Sequence, residues 1–427
     1  MITQQSFMFI TSYEKMRKEL LNRHAIQTVC HVGPRAFEAI SGEKVNTTLF
    51  VLRREPSPTK RENAVGTYFR LVKEPDGESK QRRFEEAVAR LNSAQDDPIV
   101  YRYRQGDFDA IPGSPWVYWI TPGLRKSFKT LLSLGKLSKT HCGMTTSDNF
   151  RFLRFWWEVG TEFIGLAYAT CGESIASEKR WFPYMKGGSF CRWYGNQSHV
   201  VNWAKDGEEI RAAPSFPRAT QQYFRRGVTW TDLTSGRFSA RLSPGGFIFD
   251  VSGSSVFPGD VHLVLGIMNS IFAQHVLNVI NPTVHVQVGD LARLPIPKTS
   301  STTLNSLVDQ AIDLAKSNSA EDETTYDFIA PPDWRTGIQN LQERAKRLAD
   351  IEREIDEEVY RLYGISDEDR KAIENELIKG GVANSDSEDA INELPPEAED
   401  SKDLAKQWIS YALGIVMGRF ISMTECF

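Results

Sequence analysis

The sequence predicts three structural classes in succession: a mixed α/β opening, an α+β middle of short strands, and a helical end. Three observations carry this. Met1 to Arg54 alternates β-branched runs with one helical stretch. From about Gly143 to Pro297, short β-like segments are broken by Gly, Pro, Asn and Ser. Beyond Pro297, apolar residues recur at helical spacing.

In the opening, MITQQSFMFI reads as a strand ending in the turn Thr11-Ser12. Ser12 suits a helix cap for YEKMRKELLNR, whose Tyr13, Met16, Leu20 and Leu21 share one face. AIQTVCHVG and VNTTLFVLRR are two further strands, separated by Gly33-Pro34 and Ser41-Gly42. Residues 55–100 are charged and include the helical FEEAVARL, followed by the aromatic, turn-rich VYRYRQGDFDAIPGSPWVYWI. In the middle region, Val261 to Ile280 reads as one buried helix. At the end, Leu304–Lys316 and Gly337–Tyr363 are predicted helices, the second with Gly364 as its C-cap. Its carboxylates Glu352, Glu354, Asp356, Glu357 and Glu358 are read as a solvated face. Ala383 to Lys402, acidic and carrying Pro395-Pro396, is read as a linker.

Composition narrows the functional classes. Apolar residues make up 41% and charged residues 25%, as in ordinary globular proteins. No run of 18 or more apolar residues occurs, and the start lacks the basic and small-residue marks of a signal peptide. Five scattered cysteines with no CxxC argue against zinc, and a cytoplasmic protein is expected. The histidines show no metal spacing. The formal net charge of -4 divides into +8 for residues 1–140, +3 for 141–298 and -15 for 299–427. A basic front with an acidic tail suits a polyanion held by one part of the molecule.

The best direct signal for DNA is RAAPSFPRATQQYFRRGVTWTDLTSGRFSAR, from Arg211 to Arg241. Arg218, Arg225, Arg226, Arg237 and Arg241 interleave with Gln221 and Gln222. Arg and Gln make bidentate contacts to guanine and adenine edges, and further arginines suit phosphates. The same arginines also suit plain solubility or stacking on Tyr223 and Trp230.

Three signatures occur in fixed order: MITQQSFMFITSYEKMRKELL with GPRAFEAISGEKVNTTLFVL; then GMTTSDNFRFLRFWWEVG with FIFDVSGSSVFP and NPTVHVQVGDLARLPIP; then IDEEVYRLYGI. Together they resemble the adenine-specific (N6) DNA methyltransferases of the type IIG and BREX PglX kind, over residues 1 to 419. The resemblance implies an α/β remnant of a Rossmann-like methyltransferase sheet, followed by an α+β target-recognition domain and a helical spacer. The implied boundaries are residues 1–60 for the last sheet strands, 61–140 for a connector and 141–298 for target recognition. Residues 299–380 form the spacer, and 381–427 an acidic linker with a terminal helix.

The family's Gly-rich loop for S-adenosyl-L-methionine and its NPPY tetrapeptide do not occur in this sequence. The resemblance therefore implies a part truncated at both ends, inactive alone, with no catalytic residue and poor binding of S-adenosyl-L-methionine, which the parent enzyme would hold. The expected partner is double-stranded DNA; others are the methyltransferase half and further defence-system proteins. By the same resemblance Phe37 stacks on the flipped base, although a core role suits it too. Asn149 and Arg151 lie in a stretch that serves DNA contact or a capping turn equally. A non-enzymatic DNA-specificity subunit and an inactive remnant remain alternatives.

Overall fold

The computed structural model describes residues 1–37, 45–232, 237–281, 285–299, 301–381 and 401–420. They fall into two compact units. One comprises Met1–Leu131, His275–Pro282 and Ile365–Ser385; the other comprises Leu132–Gln274, Thr283–Gly364 and Asp386–Phe427.

The first unit is built on a five-stranded mixed sheet. Strand β1 (Ile2–Gln4), helix α1 (Glu14–Arg23), β2 (His24–Gly33) and β3 (Thr47–Arg54) follow the order read from the sequence. Strands β4 (Val65–Arg70) and β5 (Val100–Arg104) flank helix α2 (Gly77–Asn92), and α3 (Pro122–Thr130) follows. The sheet order is β1-β3-β2-β4-β5, with β2 and β4 parallel and the other neighbours antiparallel. Residues 61–140 thus supply two of the five strands, where the sequence suggested only a connector. The aromatic stretch beyond β5 is also core: Phe108, Trp116 and Tyr118 are buried with Phe7, Met8, Val29 and Tyr68.

Helix α1 departs from its reading. A 3-10 turn over Thr11–Tyr13 precedes it, and no side chain caps its start. Tyr13 and Met16 are exposed, and the fully buried residue is Arg17. Its guanidinium donates to the carbonyls of Phe7, Ile10 and Gly113. A buried cation is tolerated there because three acceptors replace water.

The second unit contains two four-stranded sheets. Its strands are β6 (Thr140–His141), β7 (Leu153–Phe155), β8 (Trp181–Met185), β9 (His199–Asn202), β10 (Gly227–Trp230), β11 (Ala240–Ser243), β12 (Ile248–Phe249) and β13 (Ser255–Val256). One sheet has the order β12-β8-β9-β7 and the other β11-β10-β13-β6. A large aromatic core, including Phe152, Phe182, Tyr184, Trp203, Tyr223, Phe224 and Phe249, lies with the first of these.

The single helix expected over Val261 to Ile280 is two, α4 (Val261–Asn269) and α5 (Ile271–Ile280), broken at Ser270, whose ψ of 156° is extended. Asn269, the last residue of α4, is tied by its side chain to a strand. Its amide accepts from Ala240 N (2.9 Å) and donates to Ala240 O (2.8 Å). Asn269→Ala is expected to lower stability by about 2 kcal/mol, because a buried backbone N–H loses its acceptor; chemical denaturation measures it. No single helix among the described residues is long and apolar enough to cross a membrane.

Helices α6 (Thr302–Ser319) and α7 (Gly337–Tyr363) follow, and Gly364 closes α7 with the left-handed φ of 61° expected of a C-cap. The acidic face of α7 is not simply solvated. Glu352 accepts from Trp193 Nε1 at 2.8 Å and pairs with Arg192 at 3.2 Å. Asp356 accepts from the backbone of Ile271 at 2.7 Å, and buried Glu358 meets Ser301 and Arg361. These carboxylates find fixed donors on other elements, which sequence spacing does not reveal. Helix α8 (Asp367–Gly381) belongs to the first unit, where Glu376 pairs with Arg70 at 2.6 Å and Lys73 at 2.8 Å.

Candidate nucleic-acid interface

Two stretches far apart in sequence meet in the second unit. Thr145 and Phe216 form an antiparallel bridge, each N–H reaching the other's carbonyl at 3.2 and 2.9 Å. This sets the GMTTSDNF turn beside the Arg-rich segment. Met144 also bridges Asp250, with Met144 N donating to Phe249 O at 2.9 Å and Val251 N donating to Met144 O at 3.0 Å. The second sequence signature therefore closes on itself: its GMTT and FIFDVSG segments lie side by side. Gly143 makes that approach fit, since a Cβ there would stand 2.2 Å from Phe249 O and 2.4 Å from Asp250 O. Asp250 anchors the junction, accepting from Tyr184 Oη at 2.8 Å and from Ser252 N at 2.8 Å.

The arginines around this junction are held rather than loose. Arg218 is exposed and reaches Cys142 Sγ at 3.7 Å, with its guanidinium 6.0 Å from the Phe216 ring. Arg225, also exposed, donates to Gln222 Oε1 at 2.6 Å and lies 5.8 Å from the Phe257 ring. Phe257 in turn is 6.0 Å from His141 on β6. Burial, then the charges of Lys139 and Arg225, holds the His141 pKa below its ordinary value. Arg226 Nη2 lies 3.2 Å from His262 Nε2, the same nitrogen that lies 2.9 Å from Asp309 Oδ1. Gln221 is exposed. The exposed residues Arg218, Arg225 and Arg226 thus flank β6 and the start of α4. Such pre-positioned forks suit planar acceptors better than flexible lysines would.

Other residues singled out from the sequence have different fates. Asp148 caps the turn, accepting from Arg151 N at 3.0 Å, and Thr146 donates to Asn149 Oδ1. Asn149 and Arg151 are exposed, and Arg151 lies 4.8 Å from the Phe152 ring. Arg237 is exposed, beside residues outside the described set. Phe37 is exposed, as a stacking face must be, and the rest of its loop, residues 38–44, lies outside the described residues.

Arg241 is the correction. It is fully buried, donating to Gly187 O at 2.8 Å and Thr231 Oγ1 at 3.2 Å. It lies on β11, where every residue from Ala240 to Ser243 is buried, so its guanidinium braces a loop and presents nothing to DNA. Alternation along the sequence did not distinguish it from Arg237. Phe155 is exposed and stacks on Trp157 at 4.6 Å with rings 2° from parallel, while Trp157 itself is partly buried against the core around Trp156.

No protein-family model matches the chain. Among curated proteins, the adenine-specific methyltransferase PglX of Lacticaseibacillus casei (strain Zhang) is 32% identical, covering 98% of this chain and 35% of the relative. The adenine-specific methyltransferase BrxX of Escherichia coli O9:H4 (strain HS) is 29% identical, covering 98% of this chain and 34% of the relative. Among solved structures, the Type IIL restriction-modification enzyme MmeI in complex with DNA superposes with a TM-score of 0.44 at 12% identity, covering 96% of this chain and 49% of that one. The chain spans about a third of the length of the curated relatives it matches. Over nearly all of its own residues it is homologous to adenine-specific methyltransferases of the PglX and BrxX kind.

Proposed function

We propose that the second unit reads a duplex DNA site for an adenine-N6 methyltransferase of a restriction or phage-defence system. The carrying observation is the cluster of exposed Arg218, Arg225 and Arg226, each with a side-chain contact, together with exposed Gln221, in the segment that bridges to the GMTTSDNF turn. Arginine and glutamine there match base edges in the major groove, while further arginines neutralise phosphates. The names of the relatives supply the reaction class. Methyl transfer of that class draws on S-adenosyl-L-methionine. The chain's own sequence has neither the Gly-rich loop nor the NPPY turn, so it contributes grip and readout and no donor site. Phe37, on the first unit, would stack on the extruded adenine.

The test replaces Arg225 and Arg226 together with alanine and titrates labelled duplex DNA at several salt concentrations. Loss of phosphate contacts is expected to lower affinity and to reduce the salt slope by about one per contact. Loss of a base-edge contact is expected to relax discrimination between sites by roughly 1–3 kcal/mol. Unchanged affinity and slope would remove this cluster from the interface.

A further inference from the structure

Next to the turn that carries Asn149 lies a second surface with different chemistry. Phe150 is 91% exposed, so it gains almost nothing from burial in the fold. Arg154 donates to the carbonyls of Phe150 and Leu153, both at 2.6 Å. Its guanidinium carbon lies 5.9 Å from the Phe150 ring and 5.5 Å from the Trp181 ring. Arg180 lies 5.8 Å from the same Trp181 ring. Glu209 meets both Arg180 at 3.5 Å and Arg151 at 4.0 Å, so one carboxylate stands against two of the three guanidinium groups.

The rings and arginines on the turn before β7, on β7 and at the start of β8 differ from the Arg/Gln cluster around β6. Base edges call for directional donors and acceptors; base faces call for flat rings with cations beside them. A duplex hides its base faces in the stack, so an exposed ring flanked by arginines fits bases that have left it. We propose that Phe150, Arg151, Arg154, Arg180 and Trp181 form a contact for unpaired nucleic-acid bases, the rings stacking on bases and the arginines meeting phosphates. In this arrangement the turn from Thr145 to Asn149 joins duplex readout on one side to capture of opened strand on the other. This role rests on the duplex reading for its place in the reaction, and its binding chemistry stands by itself.

The experiment uses the full chain and three labelled probes: a random-sequence duplex, the same duplex with a central bubble of unpaired thymines, and single-stranded oligothymidine. Roughly tenfold tighter binding of the bubble than of the intact duplex is expected, from one well-stacked base. Phe150→Ala is expected to abolish most of that preference while leaving duplex affinity and the melting temperature unchanged. Arg154→Gln tests the cationic half, and is expected to weaken bubble and single-strand binding together. Bubble preference without measurable duplex binding would overturn the duplex reading and support this one. Duplex binding with no bubble preference, or a preference that survives Phe150→Ala, would overturn this inference; failure to bind any probe would overturn both.

Discussion

Acidification from pH 7 to pH 4 is expected to destabilise the first unit by several kcal/mol. Two buried histidines and one doubly paired glutamate are responsible. Burial, then the charges of Arg70 and Lys80, lowers the His31 pKa to about 3. The ring is neutral, held by Gln5 Oε1 at 2.6 Å and Tyr118 Oη at 3.3 Å. Burial lowers the His275 pKa to about 4, with Glu376 opposing and Arg70 reinforcing the shift. Both His275 ring nitrogens are buried without a hydrogen-bond partner among the described residues.

The unfolded chain takes up both protons near the ordinary histidine pKa of about 6.5. The folded chain does not until pH 4 or below. Stability is therefore intact above about pH 6.5, and from there down to its folded value each histidine removes about 1.4 kcal/mol per pH unit. Glu376 adds a second loss. Despite the opposing effect of burial, its bonds to Arg70 and Lys73 pull the carboxyl down to about 2. Its contribution is present above the ordinary glutamate range and disappears as the pH falls from there toward 2. Urea unfolding followed at pH 7, 6, 5 and 4 measures the slope, and His275→Gln is expected to flatten it. A wild-type midpoint that does not move between pH 7 and pH 4.5 would show that neither histidine is held neutral.

Gly143→Ala is expected to cost about 3 kcal/mol and to weaken duplex binding with it. The added methyl would meet two backbone carbonyl oxygens and a carbonyl carbon, all within 2.6 Å, and no rotamer change relieves a backbone clash. The bridges from Met144 to Asp250 and from Thr145 to Phe216 leave the same short stretch, so displacement there carries the turn away from Arg218. Thermal unfolding and duplex titration of one variant report the two effects. A variant with unaltered stability would mean that the GMTT and FIFDVSG segments do not pack as described.

Much of the local structure was legible in residue order. The β-branched runs at Ala25–Gly33 and Val45–Arg54 became β2 and β3, because period-two apolar patterns bury one face whatever their partners. Gly337–Tyr363 and its Gly364 cap followed from local rules alone. The fixed order of short signatures pointed to the same relatives that sequence comparison finds. What residue order left open was partnership. Arg241 and Arg225 look alike in a basic, Gln-rich segment; one lies on β11, buried along its whole length, and the other on the exposed turn before β10, a difference set by how the elements pack. Glu352 and Asp356 read as a wet helical face until Trp193 and the start of α5 arrive as donors. The sequence by itself determined the elements and the family likeness, since propensity, periodicity and motif order are local properties. Tertiary structure alone decided which charged groups remain available to a ligand, because availability depends on contacts between segments such as Thr145 and Phe216, which no local pattern encodes.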